Sequence, residues 1–454
     1  MTYALFALFM ALSYLRPFDM FAPEMAVYRP MLILMMLVLM LSMANSKKVG
    51  GSILTGQHLR LLWGIVAIVF VSVALAAGFG PAISNGLIAF LPSALTFIIA
   101  GLNLGSLDRL KTTGAVIIAA LVVLCLFSIA CYHTGFMIEM LVVKQHGTGA
   151  DSGFDAAFEA NDIPALDNSG RYLWRIRSVG FLADPNDFGQ TLVCFLPVLF
   201  ALYKPAHFMR NLMFIATPAA IMLYTIYLTR SRGALLGLAA LFFFTIRDKL
   251  GTVKTALLVT VIGAAAMAFN FTGGRGYSAN EESAGGRVDA WSEGLVMLSH
   301  NPLTGVGYHR FGENHSHTAH NTLVVSFGEI GLLGYFMWLG LIVLVFKNLL
   351  KAESLALPGS EELIWVQRLK SSFFGFFTCG MFLSRAFEPP IFILLIFCVA
   401  AWHAVKVQLK GSPAGEALAA PMPWRATTVL MMFVTIFAVW AVVVAKTVLV
   451  GRSV

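Results

Sequence analysis

The chain has 454 residues, of which 58% are hydrophobic and 12% charged, with a formal net charge of +8 at pH 7. Soluble domains carry about twice this charged fraction, so the composition excludes an ordinary soluble globular protein. No aromatic-basic patch accompanies the positive charge, so nothing indicates a nucleic-acid-binding protein. The five cysteines lie in or at the edges of apolar segments, and we interpret them as packing residues rather than a disulfide framework.

Apolar runs long enough to cross a membrane recur along the chain. The first run has no basic n-region and no clear cleavage site, so we expect a retained helix rather than a signal peptide. The sequence predicts an all-α fold, a polytopic transmembrane helical bundle of about 12–13 membrane segments. The predicted segments lie near residues 3–15, 27–44, 60–79, 85–103, 113–132, 187–203, 209–229, 233–246, 254–271, 320–346, 370–385, 389–405 and 426–446.

Charge predicts the orientation of these segments. Lysine and arginine are concentrated in one set of loops, which the positive-inside rule places in the cytoplasm. The opposite set holds most of the acidic residues and both long polar stretches, so we expect those stretches in the periplasm of a Gram-negative cell. ATP and nucleotide-sugars are cytoplasmic, and group transfer on the outer side would therefore need a substrate that arrives already activated, such as a lipid-linked one.

The two long loops divide the chain into five predicted regions. These are residues 1–132 (N-terminal transmembrane helices), 133–186 (periplasmic loop), 187–271 (central transmembrane helices), 272–319 (large periplasmic loop, expected to be catalytic) and 320–454 (C-terminal transmembrane helices).

The first long loop ends in Asp184-Pro185-Asn186-Asp187, shortly after the arginine-rich stretch 171–177. Asp184 as N-cap and Pro185 at the first helical position predict the start of a helix. A metal-binding element resembling DxD is the alternative for the same four residues.

A second outward cluster is Thr229-Arg230-Ser231-Arg232-Gly233, between two short membrane segments. Arginine at membrane depth is costly and needs a reason. Guanidinium groups bind phosphate oxygens in a bidentate fork, so Arg230 and Arg232, brought together with Arg287 of the second long loop, would hold a pyrophosphate. The alternative is that Arg230 and Arg232 are snorkelling anchors at a helix end.

The second long loop also carries Arg275, Arg310 and several histidines. His309, His315, His317 and His320 with Glu313 could imitate a zinc site, but their spacing is irregular. We therefore interpret the first three histidines as solvated surface residues.

His320-Asn321, nine further residues and Gly331-Leu-Leu-Gly334 form the most informative stretch. At about 100° per residue, a helix would place His320, Gly331 and Gly334 on one face, where the glycines would admit a neighbouring helix. A histidine at the membrane surface can accept a proton near neutral pH and serve as general base. Glu329 would lie on the opposite face, either as a functional carboxylate or in a hydrogen bond to another helix.

A last outward turn is Arg385-Ala-Phe-Glu388-Pro389-Pro390. Glu388 could bind or orient an acceptor sugar, or it could pair with an arginine. Because Arg385 and Glu388 are separated by three residues, they could simply pair with each other.

At these residues the chain resembles the O-antigen ligase superfamily, which includes O-antigen polymerases and bacterial protein O-oligosaccharyltransferases. His320-Asn321 and the GxxG element are similar to the ligase pattern, and Ser231-Arg232-Gly233 resembles the family's Ser-Arg-Gly element. Gly286-Arg287 through Gly307 resembles the large periplasmic loop before the histidine.

The resemblance implies an inverting transfer from an undecaprenyl-pyrophosphate-linked glycan, without cofactor, metal or ATP, in the bacterial inner membrane. His320 would take the acceptor's proton, and Arg232 and Arg287 would hold the pyrophosphate with Arg230. Asn321, Arg310 and Glu388 would bind or orient the acceptor.

We expect ligation to the lipid A-core of lipopolysaccharide; a polymerase and a protein O-oligosaccharyltransferase are the alternatives within the superfamily. A transporter without catalysis would predict internal repeats and a charged path through the membrane. The sequence has no clear repeat and its polar residues gather on one side, which favours an enzyme.

Overall fold

The computed structural model describes residues 1–45, 52–146, 155–159, 161–268, 282–315 and 318–450. Helices dominate this part of the chain. The α-helices are α1 (Thr2–Leu15), α2 (Pro17–Phe21), α3 (Pro30–Asn45), α4 (Gly56–Ala77), α5 (Phe79–Pro81), α6 (Ile88–Asn103), α7 (Leu107–Thr134), α8 (Ile138–Leu141), α9 (Pro185–Ala201), α10 (Phe208–Asn211), α11 (Thr217–Thr229), α12 (Arg232–Leu250), α13 (Thr252–Ala268), α14 (Glu282–His300), α15 (Phe311–Asn314), α16 (Thr322–Leu355), α17 (Glu361–Gly380), α18 (Pro389–Gln408), α19 (Pro413–Ala419) and α20 (Arg425–Val450).

Shorter elements complete the described chain. Strands β1 (Val142–His146) and β2 (Tyr172–Ile176) pair antiparallel, with Val142 opposite Ile176 and His146 opposite Tyr172. Short 3-10 and π segments are Pro23–Tyr28, Ala82–Leu87, Pro164–Leu166, Gly180–Leu182 and Leu212–Ala216. Both strands fall within the predicted loop 133–186.

The chain forms two compact units. The first contains the described residues of 1–41, 108–276 and 367–379, and α9 is its most buried long helix. Gln190 of α9 donates to the Phe376 carbonyl at 3.0 Å, and the Ser372 hydroxyl donates to the Cys194 carbonyl at 2.7 Å. These polar contacts join α9 to α17, where the apolar faces of both helices are buried.

The second unit contains the described residues of 42–107, 277–366 and 380–454. Its centre is α16, which packs against α4, α14, α18 and α20. The Trp338 indole donates to the Ala386 carbonyl at 2.7 Å, and the Tyr335 hydroxyl lies 2.8 Å from the Thr435 hydroxyl. Large side chains of α16 therefore find polar partners as well as apolar burial.

The prediction of an all-α polytopic membrane protein is confirmed. Every predicted segment overlaps a helix of the described chain. Within the described residues, seven helical stretches are long and apolar enough to cross a membrane, and three apolar helices are shorter. The predicted total of about 12–13 membrane segments stays a prediction.

Part of the predicted loop 272–319 is helical, because α14 occupies Glu282–His300. Ala290, Gly294 and Met297 are buried at the spacing i, i+4, i+7, which is the signature of one buried helix face. The other residues of this segment are mostly polar, so a search for long apolar runs did not predict a helix here.

Candidate functional site

In the second unit, α14 brings Arg287 towards the start of α16. The Trp291 indole donates to the carbonyl of Ala319, the residue before His320, at 2.9 Å. Arg287 lies four residues before Trp291, on the same face of α14. The predicted base and one predicted phosphate-binding arginine therefore belong to the same region of this unit.

The turn between α17 and α18 contacts both of these elements. The Arg287 guanidinium lies 6.0 Å from the centre of the Phe382 ring. The Thr322 hydroxyl, in the first turn of α16, donates to the Leu383 carbonyl at 2.7 Å. Arg385 and Glu388 pair with each other at 3.4 Å, so the alternative that these two residues form their own ion pair is confirmed. Their partly exposed pair adds two further charges beside the start of α16.

His320 precedes α16 and is not part of it. Its φ of 45° is left-handed, a conformation that is uncommon for residues other than glycine and often marks functional sites. Asn321 caps the helix, and its Oδ1 accepts from the amides of Leu323 and Val324 at 2.9 and 3.3 Å. The prediction that His320, Gly331 and Gly334 share one helical face is therefore wrong, because the helix starts only after the cap.

α16 is broken at Gly331, which has φ 61° and ψ −171°. The loop 301–307 inserts into this break and bonds to the backbone groups that the break releases. The amide-to-carbonyl bonds are Val306 to Gly328 (3.0 Å), Gly307 to Glu329 (2.9 Å), Leu332 to Pro302 (2.8 Å) and Leu333 to Leu303 (3.2 Å).

The insertion of this loop explains why residues 305 and 331 are glycines. A Cβ at Gly331 would overlap the backbone of Leu303 and Thr304, and a Cβ at Gly305 would overlap the backbone of Glu329. Both residues also have a positive φ, which favours glycine. Gly331 therefore admits a loop, and the prediction that it admits a neighbouring helix is wrong.

Glu329 holds the chain beyond that loop. Its carboxylate accepts from the amides of His309 and Phe311 at 3.0 and 3.2 Å. Arg310 lies between these two residues, so the carboxylate determines how Arg310 is presented. The predicted hydrogen bond of Glu329 is thus present, with the amides of His309 and of the first residue of α15 as donors, while a functional role stays a prediction.

His309 is exposed, as expected of a surface histidine, and it lies in a turn with an unusual backbone conformation. Its backbone is left-handed at φ 60°, and its ring lies 4.4 Å from the ring of Tyr308. Partial burial of the ring is the largest cause that lowers the pKa of His309; Glu388 opposes this and Arg385 adds to it. These surroundings favour the neutral form of His309.

The first unit contains Arg230 and Arg232. Arg230 ends α11 in a left-handed conformation, with its guanidinium 4.0 Å from the centre of the Tyr227 ring. Ser231 caps α12 by accepting from the Ala234 amide at 3.1 Å, and Arg232 is the first residue of that helix. The tight turn predicted for 229–233 is present, while the roles of its two arginines stay predictions.

Arg175 and Asn186 hold this turn. Arg175 is 4% exposed; its Nε donates to the Thr229 carbonyl and its Nη2 to Asn186 Oδ1, both at 2.9 Å. The Ser231 hydroxyl donates to the same Asn186 oxygen at 2.7 Å. The sequence analysis placed the arginine-rich stretch 171–177 and Asn186 together in one outward cluster but missed that Arg175 and Asn186 hold the turn of another cluster.

The predicted cap at Asp184 is confirmed, since its side chain accepts from the Asn186 amide at 2.6 Å and Pro185 opens α9. Among the described residues, no group of three or more His, Cys, Asp or Glu side chains is arranged to hold a metal ion. Arg275 and His317 lie outside the described residues.

The fold and these charged groups define a multi-pass α-helical membrane protein with arginine and histidine clusters at its helix ends. Residues 217–339 match the family model described as O-antigen ligase, which confirms the predicted resemblance to the O-antigen ligase superfamily over this segment. No curated protein matches the chain. The match includes Arg230, Arg232, Arg287 and His320, whereas Glu388 lies beyond it. It supports glycosyl transfer of the O-antigen ligase or polymerase type, with lipid-linked glycans as substrates.

Proposed function

We propose that the protein is an inverting, metal-independent glycosyltransferase that moves a glycan from undecaprenyl pyrophosphate to an acceptor sugar hydroxyl. The preferred acceptor is the lipid A-core of lipopolysaccharide, and the reaction takes place on the periplasmic side of the bacterial inner membrane. The observation that carries the proposal is the Trp291–Ala319 hydrogen bond, which joins the Arg287-bearing face of α14 to the residue before His320.

In the proposed reaction, His320 accepts the proton of the acceptor hydroxyl. The hydroxyl oxygen then bonds to the anomeric carbon of the donor sugar, and the bond from that carbon to the pyrophosphate oxygen breaks. Negative charge grows on the departing pyrophosphate, where Arg287, Arg232 and Arg230 would stabilise it. Preorganised charge of this kind is often the largest contribution to catalysis.

Asn321, Arg310 and Glu388 are proposed to bind or orient the acceptor. Asn321 is fully buried, and its Nδ2 has no hydrogen-bond partner among the described residues. Glu388 and Arg385 form a partly exposed ion pair that an acceptor hydroxyl would join. These contacts support an orienting role rather than proton transfer.

The test is transfer by the full-length protein reconstituted with lipid-linked glycan and purified lipid A-core. We expect His320→Ala to lower the rate by about 10²–10⁴-fold, because general-base help is lost. His300→Ala is the matched control, since His300 is exposed at the end of α14. Wild-type transfer by His320→Ala refutes the assignment of the base.

Arginine-to-lysine substitutions test the pyrophosphate contacts. Arg232→Lys and Arg287→Lys keep the charge but lose the bidentate fork, so we expect a large fall in kcat. Arg210→Lys, which alters a guanidinium bonded to the Leu202 carbonyl, should leave transfer unchanged. Equal activity in all three variants would argue against the fork.

Product analysis of the same reactions identifies the acceptor. A glycan joined to lipid A-core supports ligation, whereas lengthened lipid-linked glycan identifies a polymerase. Addition of a chelator should leave the rate unchanged, and loss of activity would contradict a metal-independent reaction.

A further inference from the structure

A polar cleft of about 410 Å³ opens in the second unit beside the inserted loop. Its volume lies within the range of about 300–1,000 Å³ that is typical of small-molecule sites. One wall is the last turn of α4, through Leu75 and Ala76. The others come from Asn301, Thr304, Gly305 and Val306 of the inserted loop and from Arg310, Glu313 and Asn314. The proposed mechanism makes no use of this cleft apart from Arg310.

The side chains that line the cleft indicate a neutral ligand. Arg310 and Glu313 are its charged lining residues, and they form an ion pair at 2.5 Å. Their charges cancel, so the cleft has no excess positive charge with which to attract a phosphate. Asn301, Thr304 and Asn314 add amide and hydroxyl groups that both donate and accept hydrogen bonds. A sugar ring offers the same mixture of donors and acceptors.

The walls of the cleft are held in place before any ligand binds. The loop that carries Asn301 and Thr304 is fixed by four backbone hydrogen bonds to the break in α16. Glu329 fixes the amides on both sides of Arg310. Asn314 Nδ2 donates to the Arg310 carbonyl at 3.0 Å, which joins the last wall to the same turn. A preorganised site loses little conformational entropy on binding.

We propose that this cleft, lined by Asn301, Thr304, Asn314 and the Arg310–Glu313 pair, is a subsite for a neutral segment of a glycan chain. The inference rests on the proposed function, because a glycosyltransferase with a polymeric substrate needs contacts to sugars away from the reacting carbon. That segment belongs either to the lipid-linked donor or to the acceptor, and Glu329 is a positioning residue for the subsite.

Photo-crosslinking tests occupancy without requiring transfer. The photoreactive amino acid p-benzoylphenylalanine replaces Asn314 in the full-length His320→Ala protein, in cells that make the glycan. The control replaces Leu303, which is 59% exposed on the same loop and does not line the cleft. We expect a glycan-bearing adduct at position 314 and none at position 303.

Mass analysis of the adduct must show uncharged sugars next to the crosslink. Absence of an adduct at position 314, equal adducts at both positions, or a crosslink to a phosphate-bearing residue of the ligand overturns the proposal. Wild-type transfer by His320→Ala would refute the assigned base while leaving the crosslinking result readable, so the two proposals fail separately.

Steady-state kinetics identify the source of the glycan. Asn301→Ala and Asn314→Ala should raise the KM of one substrate about tenfold and leave kcat unchanged, because a binding hydrogen bond is lost in ground state and transition state alike. A rise in the KM of the lipid-linked donor assigns the segment to the donor, and a rise in the acceptor KM assigns it to the acceptor. Leu303→Ala should change neither constant. Unchanged KM values in both asparagine variants overturn the subsite.

Discussion

The turn at 229–232 and the loop at 301–311 both carry arginines proposed to bind substrate, yet they are held in different ways. Side chains hold the turn in the first unit, through Arg175, Asn186 and Ser231. Backbone groups hold most of the loop in the second unit, through the break in α16. Side-chain support can be removed by truncating one residue, whereas backbone support is disturbed mainly where a Cβ is added.

Gly331→Ala tests the backbone-held region and should have the largest effect. The added Cβ meets the backbone of Leu303 and Thr304 at a positive φ, so we expect a loss of about 3–6 kcal/mol in the free energy of unfolding, from strain and overlap together. Thermal unfolding in detergent and the yield of folded protein measure it. Gly312→Ala is the matched control, because nothing lies within 4 Å of its added Cβ. Equal stability of the two variants would show that the break tolerates a side chain.

Arg175→Ala tests the side-chain-held region. Removal of the buried guanidinium leaves the Thr229 carbonyl without this donor, and we expect a loss of about 2–4 kcal/mol together with reduced transfer. Arg171→Ala removes the same charge from an exposed position and should be nearly neutral. If Arg175→Ala unfolds at the wild-type temperature, the turn does not depend on this arginine.

Glu329→Gln tests a place where a side chain, rather than the backbone of α16, supports the loop at 301–311. The amide can accept through one oxygen only, so one of the two amides at His309 and Phe311 loses its partner. We expect a loss of about 1–2 kcal/mol in unfolding free energy. Glu313→Gln alters an exposed ion pair and should cost about 0–1 kcal/mol. Equal losses in both variants would contradict the role given to the Glu329 carboxylate.

The smallest effect is the pH dependence of His309. Its pKa is lowered in the folded state, so below about pH 6.5 the unfolded chain binds the proton more readily than the folded chain. Stability should therefore fall as the pH drops below that value, and less steeply in His309→Gln. Unfolding temperatures of both proteins across this pH range measure the difference, and parallel curves would exclude the lowered pKa.

Local signals predicted much of what the structure contains. Apolar runs located the helices, and Asp184-Pro185 located the start of α9. The resemblance carried by residues 229–233 and 320–334 identified the family that matches this part of the chain. In each case the residues that form the predictive pattern lie close together in the sequence.

Interactions between distant residues could not be predicted in this way. Arg175 bonds to a carbonyl 54 residues away, and no local pattern specifies that partner. The pair of glycines at 331 and 334 has the same spacing whether it admits a helix or a loop, so the sequence favoured the commoner interpretation. The periodicity at Ala290, Gly294 and Met297 was present in the sequence, and a search for one-sided burial would have found α14.

The broken α16 also constrains how the protein assembles. Until the loop 301–307 arrives, the carbonyls of Gly328 and Glu329 and the amides of Leu332 and Leu333 have no partners at the break, and Gly328 and Glu329 are buried. Each such orphaned group costs several kcal/mol in an apolar medium. The newly synthesised chain must therefore dock this loop as α16 settles into the bilayer, which makes a polar surface segment part of the insertion step.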